Sequence, residues 1–470
     1  MKSFPLLLVL ALVLVPPCGA DENMDGGLFN LLKSINAPSE PAAHPPQLDP
    51  KRIINESSSF LKEREPEMTA EEYAIYEKVN TMLTANVDLA VKMLEAMMTE
   101  KEPPSPAFEF ILGNAYYAAN QPEQAERSYR LAVQRYPSFL RAWSNLGVLY
   151  YSSGRYADAL PCLSQAVVLG DREPVNFGLL GFCLEKEGDP VSAEMAYLQA
   201  VSGDPENPDW KEGLLRVYIG GRQYGRAEPL VRGLIKARPT ETRYWLEYAG
   251  ILVAEQRKVE AMVVLEEAAA AGAAGPDALR LLGDLYAGQN LTAQAIAAYE
   301  KIPGDGRAQG VEKLLQLARV LTAADRLPEA EQALAAVTGD LPPAARIELL
   351  QVRADLAMAR RRWPEARRQV EALLAIAPLD GTALLTLGRT YLEEGNVPRA
   401  TVAFEAACRI PDATYPASLE LANIEVMNRH FAKSAEYLEK ALSLEKSDAV
   451  SDYLARVRTL ARSETNPGDL

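Results

Sequence analysis

The chain has 470 residues, 48% hydrophobic and 24% charged, with a formal net charge of −15. Such a balance disfavours nucleic acid as a partner, because the counterion release that drives that binding needs clustered Lys and Arg. Two histidines, His44 and His430, give no basis for a histidine metal site or a hydrolytic triad. The negative charge argues chiefly for solubility.

Residues 1–20 read as a signal peptide. Lys2 supplies the positive start, Pro5 to Val15 an apolar core, and Cys18-Gly19-Ala20 a small-residue run suited to cleavage near Ala20. The apolar run is short for a membrane span. Loss of Lys2, the only charged residue in this stretch, would take the formal charge from −15 to −16. Lipidation of Cys18 would anchor the chain to a membrane, but Pro17 occupies a place where a small residue is wanted, so a soluble exported protein is the expectation, periplasmic or outer-membrane-associated. Three cysteines then remain: Cys162, Cys183 and Cys408. Cys162 and Cys183 fall on neighbouring predicted helices, where either a disulfide or two small buried side chains would fit.

Residues 21–66 differ in character. Gly27 to Leu32 suits a short amphipathic helix, and the run from Ser34 to Pro50 is rich in proline and polar residues, as in an extended linker.

From residue 67 to 448 a single pattern recurs. The stretch Leu140–Asp171 shows it best: Trp143, Leu146, Gly147 and Tyr150 line one face of a first helix, Gly154 makes a turn, and Ala159, Leu163 and Ala166 line a second helix. The small residue of each second helix sets the register: Ala90, Ala125, Ala159, Ala193, Ala227, Ala261, Ala295, Ala330, Ala366, Ala400 and Ser434. Successive members lie 34 to 36 residues apart. Four residues after each stands a larger apolar residue, and three further on another, which puts all of them on one helical face. Glycines recur inside the first helices (Gly113, Gly147, Gly181, Gly283, Gly388), although glycine there costs about 1 kcal/mol against alanine, so a facing helix must leave no room for a side chain. Pro137, Pro205, Pro239, Pro342 and Pro378 stop second helices. Extra residues near Pro303 to Gly310 and Pro343 to Arg346 predict longer turns. Residues 449–470 read as a helix and tail covering the last unit.

These residues resemble the tetratricopeptide repeat: tryptophan, leucine-glycine and tyrosine, then alanine, a large apolar residue, alanine and proline, over a thirty-four-residue helix pair. The resemblance covers about four-fifths of the chain. Units near both ends are degenerate, and Arg353-Ala354 replaces leucine-glycine in the eighth. It implies an all-α, right-handed superhelical solenoid of about eleven units, with first helices lining a concave groove. Groove positions would then be Phe110, Asn114, Tyr117, Arg141, Asn145, Val148 and Tyr151; for Tyr117 and Tyr151 groove and core fit equally. The family's carboxylate clamp is not intact, since Phe110, Val175 and Leu179 hold its basic positions beside Asn114 and Asn145. Its asparagine ladder is also interrupted.

One basic run stands against the acidic background: Arg360, Arg361, Arg362, Trp363, Arg367 and Arg368. It would meet an acidic partner or an anionic membrane surface, or it is a solvated end paired with Glu365 and Glu371, the reading that charge runs usually deserve. No phosphate-cradling loop, metal-spaced cysteine pair or nucleophile elbow is present. The expectation is therefore a non-catalytic protein-interaction scaffold in a cell-envelope assembly, without cofactor, and with other proteins as partners. A carbohydrate-binding or polysaccharide-export accessory role is the alternative, and a cryptic enzyme ranks last.

Overall fold

The computed structural model describes residues 65–98, 104–304 and 306–465. The predicted signal peptide, the linker as far as residue 64, and Cys18 lie outside the described residues. Among those described there are 23 helices and no strand. They form eleven pairs and one final helix. The pairs are α1 (Ala70–Ala85) with α2 (Val87–Met98), α3 (Ala107–Ala118) with α4 (Pro122–Arg135), α5 (Leu140–Ser152) with α6 (Tyr156–Val168), and α7 (Pro174–Lys186) with α8 (Pro190–Gly203). Next come α9 (Pro208–Gly220) with α10 (Tyr224–Ala237), α11 (Thr242–Ala254) with α12 (Lys258–Ala270), and α13 (Pro276–Gly288) with α14 (Thr292–Glu300). The remaining pairs are α15 (Arg307–Ala323) with α16 (Leu327–Ala336), α17 (Pro343–Ala359) with α18 (Trp363–Ile376), α19 (Gly381–Glu393) with α20 (Val397–Ala407), and α21 (Pro411–Met427) with α22 (Phe431–Leu444); α23 (Asp448–Thr465) follows. The fold is an all-α solenoid of helix pairs.

The small-residue register is the spine of each pair. All eleven residues, from Ala90 to Ser434, have 0% exposure, and Ser434 satisfies its hydroxyl on the Ala422 carbonyl at 2.9 Å. The larger residue four positions on is also buried in every pair, from Leu94 through Tyr129, Leu163 and Tyr197 to Leu438. Burying one such side chain contributes about 1.5–3 kcal/mol. The first-helix glycines face those larger residues. A Cβ on Gly147 would lie 2.7 Å from Leu163 Cγ, and one on Gly113 would lie 2.5 Å from the Tyr129 ring. Gly181, Gly283 and Gly388 meet Tyr197, Tyr299 and Phe404 in the same way.

Turn chemistry repeats as strictly. Asn120, Gly154, Gly188, Arg222, Gln256, Asn290, Asp325, Arg361, Gly395 and Arg429 all have positive φ, each five residues before the small residue of its pair. The next N–H then closes back on the first helix, as Arg155 does to the Tyr150 carbonyl (2.9 Å) and Gln223 to that of Tyr218 (2.8 Å). Proline opens seven helices at their first residue, where its missing N–H costs nothing: Pro122, Pro174, Pro190, Pro208, Pro276, Pro343 and Pro411. Trp143 and Trp245 donate their indole N–H to the carbonyls of Pro137 and Pro239, both at 2.8 Å, which ties a first helix to the end of the preceding pair.

The extra residues are accommodated otherwise than expected. Pro343 to Arg346 are the first turn of α17, not a longer loop, and α15 begins at Arg307. Both helices have 17 residues, and the second helices before them, α14 and α16, are short at 9 and 10. Pro342 and Pro343 are compatible with a helix start and forbid only its interior.

The described chain divides into two compact units, one ending at Val264 and the other beginning at Leu265. In the first, a continuous core runs from Val79 to Ala196, with further clusters around Leu215 and Trp210. In the second, cores centre on Leu315, Val370, Phe404 and Leu454, the last formed where α23 packs its Val450, Leu454 and Val457 against Ala422 and Leu438. Cys162 and Cys183 are free and buried, and burial pushes both thiols up to about 12. They pack as small apolar side chains; no disulfide joins them.

Candidate functional site

In the unit ending at Val264, first helices of successive pairs touch one another: α5 meets α7, and α7 meets α9. Their shared face carries three groups of side chains in chain order.

The first group surrounds Arg141. Its guanidinium holds the Glu65 carboxylate in a two-point pair, Nε to Oε1 at 3.0 Å and Nη2 to Oε2 at 2.8 Å, and lies 5.2 Å from the Phe110 ring centre. Asn145 donates to Asn114 Oδ1 at 2.8 Å, and the buried Tyr129 hydroxyl donates to the same oxygen at 2.7 Å. The second group is aromatic. Tyr151, Tyr156 and Phe182 stand 5.1 to 5.6 Å apart, with Lys186 over Phe182 at 5.3 Å.

The third group is charged. Arg216 grips Glu185 by two 3.0 Å bonds, and Tyr197 donates to Glu185 at 2.9 Å. Arg243 pairs with Glu212 at 2.5 Å, and the Tyr244 hydroxyl donates to the same buried carboxylate. Asp209 and Glu247 stand beside these pairs without a side-chain partner of their own among the described residues. Burial raises both carboxyls. For Glu247 the value reaches about 7, because burial and the nearby Glu212 outweigh Arg243 and Arg216. For Asp209, burial and then Glu212 raise it. Two half-buried carboxyls that resist ionisation beside filled ion pairs form a local demand for positive charge, and such perturbed groups cluster at functional sites.

The predicted groove residues do not all reach an open face. Phe110, Val148 and Tyr151 are only 4%, 6% and 5% exposed, and Asn114 is buried, so these four belong to the packed interior. Phe110 packs on Tyr129 and Phe139, Asn114 is covered by Tyr129 and Asn145, and Tyr151 by Tyr156 and Phe182. Tyr117, Arg141 and Asn145 are half-buried, and Arg141 is occupied by Glu65. Neither Asp209 nor Glu247 was among the groove residues expected from sequence, where Glu247 counted only as an interruption of the asparagine ladder. Their signal was positional: Asp209 stands two 34-residue periods after Arg141, and Glu247 three after Asn145.

The basic run at the α17–α18 turn is largely neutralised. Arg360 pairs with Glu331 at 2.6 Å, Arg362 with Glu331 and Glu365 at 3.6 and 3.5 Å, and Arg367 with Glu371 and Glu394 at 3.6 and 3.3 Å. Arg361 and Arg368 are exposed and Trp363 is half-buried. A shallow cleft of about 270 Å³ opens here, lined by Arg353, Arg360, Arg362, Glu331 and Glu365. Its charges balance to about one excess cation, a solvated rim in character. Among the described residues no group of three or more His, Cys, Asp or Glu is placed to hold a metal ion, and no helix is long and apolar enough to cross a membrane.

Comparison with known proteins finds the same repeat. A family model described as Tetratricopeptide repeat matches residues 112–174, 212–276 and 352–416. Cellulose synthase operon protein C of Pseudomonas fluorescens (strain SBW25) is 30% identical over 156 residues, which is 32% of this chain and 12% of that protein. The chain thus spans a small fraction of that relative's length. Among solved structures, a tetratricopeptide repeat protein from Parabacteroides merdae is similar at 16% identity, over 49% of this chain and 91% of that one, with a TM-score of 0.34. Yeast Tom70 is similar at 14% identity, over 85% and 98%, with a TM-score of 0.33.

Proposed function

We propose a specific scaffolding role for this chain, which belongs to the tetratricopeptide repeat family: the first-helix face of the unit ending at Val264 receives an extended segment of a partner protein. The fold is that of a protein-interaction scaffold. The observation that carries the finer reading is the pair Asp209 and Glu247, half-buried carboxyls left unpaired on a face where Glu185 and Glu212 each have an arginine and a tyrosine. A Lys or Arg of the partner would neutralise them, and the half-buried Phe182 and Tyr156 of the same unit offer apolar contact. The role is non-catalytic and cofactor-free. The chain is exported and acts in a cell-envelope assembly, a setting supported by the apolar leader in residues 1–20 and by the 30% identity to a cellulose synthase operon protein.

That same relative favours one second reading, an accessory of polysaccharide export, in which the aromatic side chains meet sugar rings. Affinity capture from an envelope extract tests the first reading, comparing wild type with Asp209→Asn/Glu247→Gln. Both substitutions keep side-chain volume and remove the charge, whereas Tyr151→Ala would open a cavity in the core and confound the result. Loss of the captured partners from the double variant is expected. Equal recovery would refute the assignment, and binding to a glycan array with no protein captured would favour the second reading.

A further inference from the structure

Glu65 is separated from Arg141 by 76 residues, yet its carboxylate is held by two bonds on the third first helix, two pairs beyond the helix it precedes. Glu65 is 9% exposed. Residues 65–69 therefore run to α1 from a point on the first-helix face. From there to α1 they are held at few points. Ser105 donates its hydroxyl to the Glu67 carbonyl at 3.0 Å and its backbone N–H to Glu72 at 2.8 Å. Thr69 and Glu72 form a reciprocal cap that starts α1. Met68 packs against the core. The Thr69, Glu72 and Ser105 contacts secure the helix start on their own. The Glu65 pair lies apart from them, on Arg141, whose guanidinium also meets Tyr76 of α1.

We infer that residues 65–69 are a strap across the first-helix face, and that Glu65 stands on Arg141 in the place of a side-chain carboxylate from an acidic partner segment. The two-point geometry is what a guanidinium offers any carboxylate, so the site's specificity is for that group and not for Glu65 itself. Burial raises the Glu65 carboxyl even with Arg141 beside it, so removing this carboxylate from water offsets part of what the pair gains. An intramolecular ligand on a short tether competes at high effective concentration, and a partner must displace it. This inference rests on the reading of the first-helix face as a binding face. It assigns the Arg141 end to an acidic stretch, opposite in charge to what Asp209 and Glu247 would take.

Two measurements on the full chain test it, neither needing the natural partner. Labelling with phenylglyoxal, followed by peptide mass spectrometry, reads the accessibility of Arg141 against the exposed Arg368. In wild type Arg141 should label at least ten-fold more slowly than Arg368; in Glu65→Ala the Arg141 rate should rise at least five-fold, with the melting temperature within a few degrees of wild type. Equal rates in wild type would overturn the strap, as would continued protection in the variant or a fall in melting temperature of 10 °C, which would mark a structural staple. The second measurement is binding of an acetylated, amidated Leu-Glu repeat octapeptide and of its Leu-Gln counterpart. Glu65→Ala should bind the acidic peptide at least ten-fold more tightly than wild type, and Glu65→Ala/Arg141→Ala should lose that gain. No gain, or the same gain for the Leu-Gln peptide, would overturn the inference and leave the Asp209 and Glu247 reading standing.

Discussion

Replacing Glu247 by Gln should stabilise the protein at pH 8 and leave it unchanged near pH 4.5. In the folded chain the Glu247 carboxyl is raised from 4.5 to about 7, first by burial, with Arg243 and Arg216 opposing and Glu212 adding to the rise. The sign follows from linkage. A carboxyl whose folded value is raised favours the folded state while it stays protonated, and that advantage is lost as pH rises through 4.5 to 7. Below 4.5 both states carry a neutral carboxyl, and Gln imitates it. Above 7 the folded state must hold a charge in a half-buried place beside Glu212, at a cost of at most about 3 kcal/mol and, with partial solvent access, between about 1 and 3 kcal/mol. Urea denaturation of both proteins at pH 4.5, 6 and 8 reads the difference as a shift of midpoint, with α11 as the helix to follow by hydrogen exchange if the array unfolds in steps. A gain of stability that grows with pH is expected. Equal stability at pH 8, or the same gain at pH 4.5 and 8, would refute the account of this face as short of positive charge.

Packing and turn residues give further tests. Gly147→Ala should lower stability by about 1–3 kcal/mol, because the new methyl would lie 2.7 Å from Leu163 Cγ and 3.2 Å from the Leu163 backbone nitrogen, which cannot withdraw; urea melts check it. Arg222 holds φ at 55° in its turn, a conformation costly for any side chain, so Arg222→Gly should raise stability by up to about 1 kcal/mol in the same assay. Gly188→Ala, at the equivalent position with φ 79°, should lower it by a similar amount.

The fold was legible because an array repeats its constraints. One small residue per second helix is forced by backbone approach in every pair, and eleven copies at 34 to 36 residues leave a periodic trace. The first-helix glycines were legible for the same reason. The left-handed turn position was half visible: glycine marks it at 154, 188 and 395, whereas Arg222, Arg361 and Arg429 adopt the same conformation without any cue in their identity. The site was harder to read. Register tells which way a side chain points, but not how deeply the next helix covers it, and so Phe110, Val148 and Tyr151 passed for groove residues and are core. The Glu65–Arg141 pair joins positions 76 residues apart with no periodic relation, beyond the reach of pattern reasoning. Asp209 and Glu247 were in register with Arg141 and Asn145, but opposite in charge or unlike in type, which reads as an interruption of a pattern when it is a change in what the face would bind.

The most direct test of the central claim is site-specific photo-crosslinking in cells that make the protein, with a photoreactive phenylalanine analogue at Leu246 on the first-helix face, or at Met195 on the exposed side of α8. Met195 is 59% exposed and Leu246 is half-buried next to Glu247, so simple accessibility favours crosslinks from Met195. The account predicts the reverse: a discrete crosslinked partner band from Leu246, diminished when Asp209 and Glu247 are neutralised, and none from Met195. Partner bands from Met195 alone would contradict it.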